Sequence, residues 1–220
     1  MHIPDGYLAP ATYLPAWGVA VPLLWHGARR LRRSLEGETL PTLSALTGLA
    51  FVVQMLNIPL PGGTTGHALG TALIALLYGP WSASCALAVV LLVQALLFGD
   101  GGITTYPVNL LAMGFAAAFT AHRIHRAARG RLGEGRAAFL AGWAGAVAAS
   151  AVVALALGIQ PWLAHDAAGR PLFFPLGLRV TVPAIVGSHA LLFGVAEGAY
   201  TAAVLALLRR TAPAAAEARP

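Results

Sequence analysis

Between Thr39 and Gly99 the chain runs for 61 residues without an Asp, Glu, Lys or Arg. A soluble domain carries about 25% charged residues, and none of this size has interior enough to hide so long an uncharged stretch. Over all 220 residues the charged fraction is 10% and the hydrophobic fraction 58%. A helix that crosses a bilayer needs about 20 mostly apolar residues. The sequence therefore predicts an all-α, polytopic membrane helical bundle, a single transmembrane domain over residues 1–220. It excludes a soluble enzyme, a disordered chain and, with Cys85 as its single cysteine, a disulfide scaffold. The segments also lack the period-two alternation of an outer-membrane barrel.

Seven apolar segments can be drawn, at 8–28, 41–58, 66–79, 81–98, 104–122, 137–158 and 180–208. The third is short, and Gly79-Pro80 separates it from the fourth by a turn signal. Arginine placement orients the bundle. Arg29, Arg30, Arg32 and Arg33 follow the first segment. Arg123, Arg126, Arg129, Arg131 and Arg136 follow the fifth, and Arg209, Arg210 and Arg219 close the chain. Only Arg170 and Arg179 fall on the other side. Because cytoplasmic loops are enriched in basic residues, the N-terminus is expected outside and the C-terminus in the cytoplasm. The net charge of +6 is thus a topology signal facing lipid headgroups, not a nucleic-acid footprint. All fourteen basic residues are Arg, which with the abundant Ala suggests a high-GC bacterium and its cell membrane. The first residues lack the basic region of a signal peptide, so the chain is expected to begin at its mature end.

Seven histidines compete for attention. His26, His122 and His125 lie beside Arg clusters and His165 in an outer loop, where solvated side chains are expected. His2, His67 and His189 lie at or within the outer ends of spans, where a polar group is expensive and has a job. His2 has its own chemistry. A free N-terminal amine and the backbone nitrogen of residue 2 close a five-membered ring on a metal. That backbone nitrogen and the imidazole Nδ1 of residue 2 close a six-membered ring. Three nitrogens then lie in one plane, an arrangement suited to Ni(II) and Cu(II), and a second imidazole can fill the fourth position. His67 ends the run Pro61-Gly62-Gly63-Thr64-Thr65-Gly66-His67. Two readings of that run stand: a surface loop opening a helix, or a Gly-rich loop dipping into the bundle, which is tolerated where protein or a cavity surrounds it. The run Gly99-Asp100-Gly101-Gly102-Ile103-Thr104-Thr105, followed by Asn109, also reads two ways. Asp100 or Thr104 caps the next helix, or the turn orients the ligand imidazoles. Ser188-His189 and Glu197 share a face of the last span, where a buried His–Glu or Glu–Arg contact, or contact with a partner subunit, is expected rather than direct ligation.

Two rival functions are weak. An intramembrane hydrolase needs a nucleophile beside a base; Ser188 and His189 are adjacent in sequence and point apart on a helix, and no Gly-x-Ser-x-Gly occurs. His122-x-x-His125 lacks the Glu of a zinc protease. A proton-coupled secondary transporter wants several intramembrane acids, and only Glu197 qualifies.

Met1-His2-Ile3-Pro4-Asp5-Gly6-Tyr7-Leu8, the stretch from Gln54 through Asn57 to His67, and Gly99 to Thr105 with Asn109 and Met113-Gly114 together resemble the CbiM/NikM group. These are the substrate-binding S components of energy-coupling factor transporters for cobalt and nickel. The resemblance implies seven spans, with the N-terminal segment folded into the bundle from outside. It also implies that Ni²⁺ or Co²⁺ is held by the Met1 amine, the His2 backbone nitrogen and the imidazoles of His2 and His67. Thr64, Asp100, Thr104 and Asn109 become candidates for supporting those ligands. One departure stands out: Tyr106-Pro107-Val108 replaces a small Gly-Ala pair before Asn109. No resident cofactor or catalysis is implied. The implied partners are a transmembrane T component and cytoplasmic ABC ATPases, with room for a small accessory membrane subunit. Ala45, Gly48 and Ala50 are candidates for the T-component contact.

Overall fold

A computed structural model describes residues 1–34, 39–60 and 64–211. They are mostly helical. Helix α1 (Pro10–Ser34) opens on a proline, whose missing N–H is no loss at a first helical position. Helix α2 (Thr39–Gln54) leads to a short antiparallel hairpin, β1 (Ile58–Leu60) with β2 (Thr64–Gly66), in the register Ile58 to Gly66. Helix α3 spans Thr71–Phe98. Helix α4 covers residues 106–132, its middle stretch Leu110–Ala116 wound as a π-helix. Helix α5 is Glu134–Leu163, and α6 is Leu178–Thr211.

Three of these, α3, α5 and α6, are long and apolar enough to cross a membrane, with mean hydropathies of 2.1, 2.0 and 1.8. The third and fourth expected segments are the two helical pieces of α3, residues 71–78 and 80–98, which part at Gly79. The break falls where Gly79-Pro80 predicts it: Gly79 takes φ 81°, ψ 164°, a conformation that favours glycine. The third segment also begins later than its apolar run, at Thr71, which leaves His67 in a loop. The second ends at Gln54, and the apolar residues beyond it form β1.

Helix α5 is central. Its buried face is built from small residues, among them Ala138, Ala141, Gly142, Gly145 and Ala149, which let neighbouring backbones come close. A Cβ on Gly142 would sit 2.8 Å from the Glu197 carbonyl oxygen, so α5 and α6 meet backbone to backbone. One apolar cluster includes Met1, Ile3 and Leu8 together with Leu91, Leu110 and Met113. The N-terminal segment is therefore core, not a tail. Burying a Met or Ile side chain contributes about 1.5–3 kcal/mol each. Of the small residues on α2, Ala50 is buried, its Cβ 2.9 Å from where a Cβ on Gly70 would stand. Ala45 and Gly48 are exposed. Ala50 thus packs within the bundle and leaves the other two as the outward pair.

Candidate metal centre

The site is assembled from three stretches of chain that are not helices. The first is residues 1–8. Asn109 clamps its Ile3 backbone from both sides: the Ile3 N–H donates to Asn109 Oδ1 (2.9 Å), and Asn109 Nδ2 donates to the Ile3 carbonyl (3.0 Å). The same carbonyl accepts from the Thr105 hydroxyl (2.5 Å) and the Gly102 N–H (3.0 Å). Two residues on, the Asp5 carboxylate accepts from the Ile103 N–H (3.0 Å), the Thr104 N–H (2.8 Å) and the Thr104 hydroxyl. The Thr104 hydroxyl and these backbone donors hold the Asp5 carboxyl below its ordinary range. Gly102 must lack a side chain, because a Cβ there would collide with Asp5. The loop 99–105 and the start of α4 thus strap the N-terminus into the bundle.

The second stretch is the loop 67–70. Gln54 Nε2 donates to the Leu69 carbonyl (2.8 Å). From the other side the Glu197 carboxylate accepts the N–H of Leu69 (2.6 Å) and of Gly70 (3.1 Å). Gly70 is the residue before α3 and makes no side-chain cap of its own. A carboxylate from α6, 127 residues away in sequence, therefore satisfies the donors that open α3. This role of Glu197 carries no motif: its partners are backbone N–H groups, which every residue but proline offers. Asp100, from the third stretch, faces His2 and accepts from Asn57 Nδ2 (2.9 Å).

Held this way, His2 and His67 stack, ring centroids 4.7 Å apart and planes 13° from parallel. Met1 is 2% exposed, His67 1% and the His2 side chain 2%. Burial pushes the Met1 amine down to about 5, with Asp100 opposing the change. His67 Nδ1 lies 3.0 Å from the Ala68 carbonyl. A carbonyl only accepts, so Nδ1 carries the proton and Nε2 is the bare, basic nitrogen. His67 Nε2 has no hydrogen-bond partner among the described residues. His2 Nδ1 is 3.1 Å from Asp100 Oδ1, a close charge contact rather than an aligned hydrogen bond. Closing the six-membered chelate ring requires His2 to exchange that carboxylate for a metal. Among the described residues no three His, Cys, Asp or Glu side chains form a metal-holding group.

The structure brings Met1, His2, His67 and Asp100 together. It places Thr104 on Asp5 and Asn109 on Ile3, so these two hold the N-terminal strap rather than an imidazole. Neither Asp100 nor Thr104 caps α4, whose preceding residue Thr105 makes no side-chain cap. The Thr64 side chain lies outside the described residues. Tyr106 fits the departure before Asn109 by donating its hydroxyl to the Ala88 carbonyl (2.8 Å). His125 is not solvated: it is 7% exposed, with Nε2 2.8 Å from Glu134. Ser188 Oγ does come within 3.4 Å of His189 Nδ1, although adjacent residues were expected to point apart. That nitrogen faces the Ile185 carbonyl at 2.8 Å, so it carries a proton and cannot take one from Ser188.

Residues 2–215 match the CbiM family, described as a cobalt uptake substrate-specific transmembrane region. The chain belongs to the CbiM family. Among its relatives, the fused nickel transport protein NikMN of Rhodobacter capsulatus is 42% identical over 218 residues, 97% of this chain and 63% of the relative. The cobalt transport protein CbiM of Sorangium cellulosum is 34% identical over 97% of this chain and 93% of its own length. A crystal structure of a truncated transition metal transporter matches with a TM-score of 0.93 at 39% identity, covering 96% of this chain and 99% of that one. The chain spans 63% and 66% of the two fused nickel transport proteins it is similar to. CbiM-family relatives are named for transport, not catalysis.

Proposed function

We propose that this chain is the substrate-binding S component of an energy-coupling factor importer for Ni²⁺ or Co²⁺. It spans the membrane seven times, N-terminus outside and C-terminus in the cytoplasm, in a bacterial cell membrane. A transmembrane T component and cytoplasmic ATPases supply the energy, since no nucleotide-binding motif occurs in the sequence. The cation is held by the Met1 amine, the His2 backbone nitrogen, His2 Nδ1 and His67 Nε2. Asp100 steers the His2 ring; Thr104 and Asn109 hold the strap behind it.

The observation that carries this reading is the burial of the Met1 end beside stacked His2 and His67 rings. Burying two imidazoles with unpartnered ring nitrogens is expensive unless a ligand uses them. The donor set is all nitrogen, which suits a late divalent metal over Mg²⁺ or Ca²⁺. The test is equilibrium dialysis of purified protein carrying its native N-terminus against Ni²⁺ and Co²⁺. One tightly bound metal per chain is expected, and acetylating Met1 or adding one residue before it should abolish that tight binding. Undiminished stoichiometric binding by the blocked protein would overturn the assignment.

A further inference from the structure

Along α6, buried positions recur every four residues: Thr181, Ile185, His189, Phe193, Glu197, Thr201 and Leu205. Four of them are polar. An intramembrane polar face turned into a bundle marks a path or a site. Two of the polar groups have evident work. Thr181 donates to the Ala154 carbonyl (3.0 Å), and Glu197 receives the N–H groups after His67. His189 is different. It is fully buried, and its Nδ1 proton is given to the Ile185 carbonyl at 2.8 Å. Its Nε2 therefore bears a lone pair, and it has no hydrogen-bond partner among the described residues. That is the state of His67: one nitrogen fastened to a backbone carbonyl, the other bare.

The placement is equally specific. Met1, His2, Ile3 and Ile185 line one cavity of about 190 Å³. His189 stands one helical turn beyond Ile185, about 6 Å along the axis toward the end of α6 that carries Arg209 and Arg210. Its ring packs on Phe193 (centroids 5.2 Å). Phe193 in turn covers Gly66, where a Cβ would overlap its ring. So the strand that delivers His67 rests on the side chain that His189 touches. One π-helical stretch, Val182–Val186, ends just before the position and a second, His189–Phe193, begins at it, and such windings recur at functional sites.

We infer that His189 Nε2 provides a second position for the same divalent cation, one turn inward from the N-terminal chelate, with His67 shared between the two. Both positions draw on the one bare nitrogen of His67, so they are used in turn rather than at once. The inference rests on the proposed binding of Ni²⁺ or Co²⁺ at the N-terminus and extends it toward release.

The experiment uses Co²⁺ as its chloride, full-length protein, equilibrium dialysis and the d–d absorption of the bound ion. Protein with the native N-terminus is titrated first, and failure to bind there overturns the proposed function. Protein extended by one residue before Met1 is titrated next. It should keep one weak Co²⁺ site, weakened by more than the roughly 100-fold that losing an outer-shell partner costs. His189→Asn in that extended protein keeps an N–H for the Ile185 carbonyl and removes Nε2; the weak site and its absorption should vanish. His67→Ala should do the same and His122→Ala should not. If His189→Asn does not fold, His189→Gln, whose amide nitrogen has no lone pair to give, serves in its place. No Co²⁺ bound by the extended protein, or binding there that survives loss of His189 Nε2, overturns the inference while leaving the N-terminal site standing.

Discussion

The two ends of the bundle are held by opposite means. At the end that holds Met1, buried contacts run from neutral or carboxylate side chains to backbone: Asn109 to Ile3, Gln54 and Glu197 to residues 69–70. At the end that holds the arginine clusters, polar contacts gather side chain to side chain on the Glu134 carboxylate. Glu134 joins His125 at 2.8 Å and Arg209 at 3.0 Å, with the Arg209 side chain 48% exposed. A buried hydrogen bond left half-made costs about 1–3 kcal/mol, whereas an exposed ion pair contributes about 0–1 kcal/mol. Geometry is therefore enforced at the first end, while charge at the second is free to serve orientation and contact.

The contrast breaks most readily at Asn109. Asn109→Ala strips both bonds from Ile3 and leaves a buried N–H unpaired. Metal affinity should fall by roughly 100-fold, the upper range for a lost outer-shell partner; isothermal titration with Ni²⁺ measures it. A loss under threefold would mean that the strap does not position the ligands. Glu197→Ala comes next. It removes the acceptor of Leu69 and Gly70, and the affinity should fall by about 10-fold or more. In a His67→Ala background the same change should add almost nothing, because Glu197 acts through the loop that bears His67. Additive losses in that double mutant would make Glu197 a general stabiliser instead.

A smaller effect is expected at Asp5. Its carboxyl is held low by Thr104, so its contribution is complete above the ordinary carboxylate range and disappears as pH falls through the depressed value. Hydrogen exchange at the Ile103 and Thr104 amides should quicken on acidification, and Asp5→Asn should flatten that dependence. Smallest of all is Arg209→Ala, at the other end. It should shift the thermal midpoint by no more than about 1 kcal/mol's worth and leave Ni²⁺ affinity unchanged. A tenfold loss of affinity there would join the two ends that look independent.

The uncharged run from Thr39 to Gly99 was enough to read a membrane bundle, and the Gly79-Pro80 break was legible residue by residue. That Met1, His2 and His67 come together was expected from the chemistry of a chain end and from the glycines before His67. What escaped was every contact whose second partner is plain backbone. Asp5 reads as a polar residue before a span, yet it fastens the loop 103–104. Glu197 reads as a lone intramembrane acid, yet it opens α3. His125 sits among arginines in sequence but turns inward to Glu134, because a helix face, not a neighbourhood in sequence, decides burial.

The break at Gly79 has a mechanical consequence. A continuous helix transmits torque along its ladder of hydrogen bonds. At Gly79 the backbone leaves helical geometry, so rotation of the stretch from Trp81 to Phe98 need not turn the piece from Thr71 to Tyr78. The loop bearing His67 is tied to that short piece and, through Glu197, to α6. Movement that reaches His67 therefore comes by way of the last helix, or of α2 through Gln54 and Leu69, and α3 works as a bearing rather than a lever.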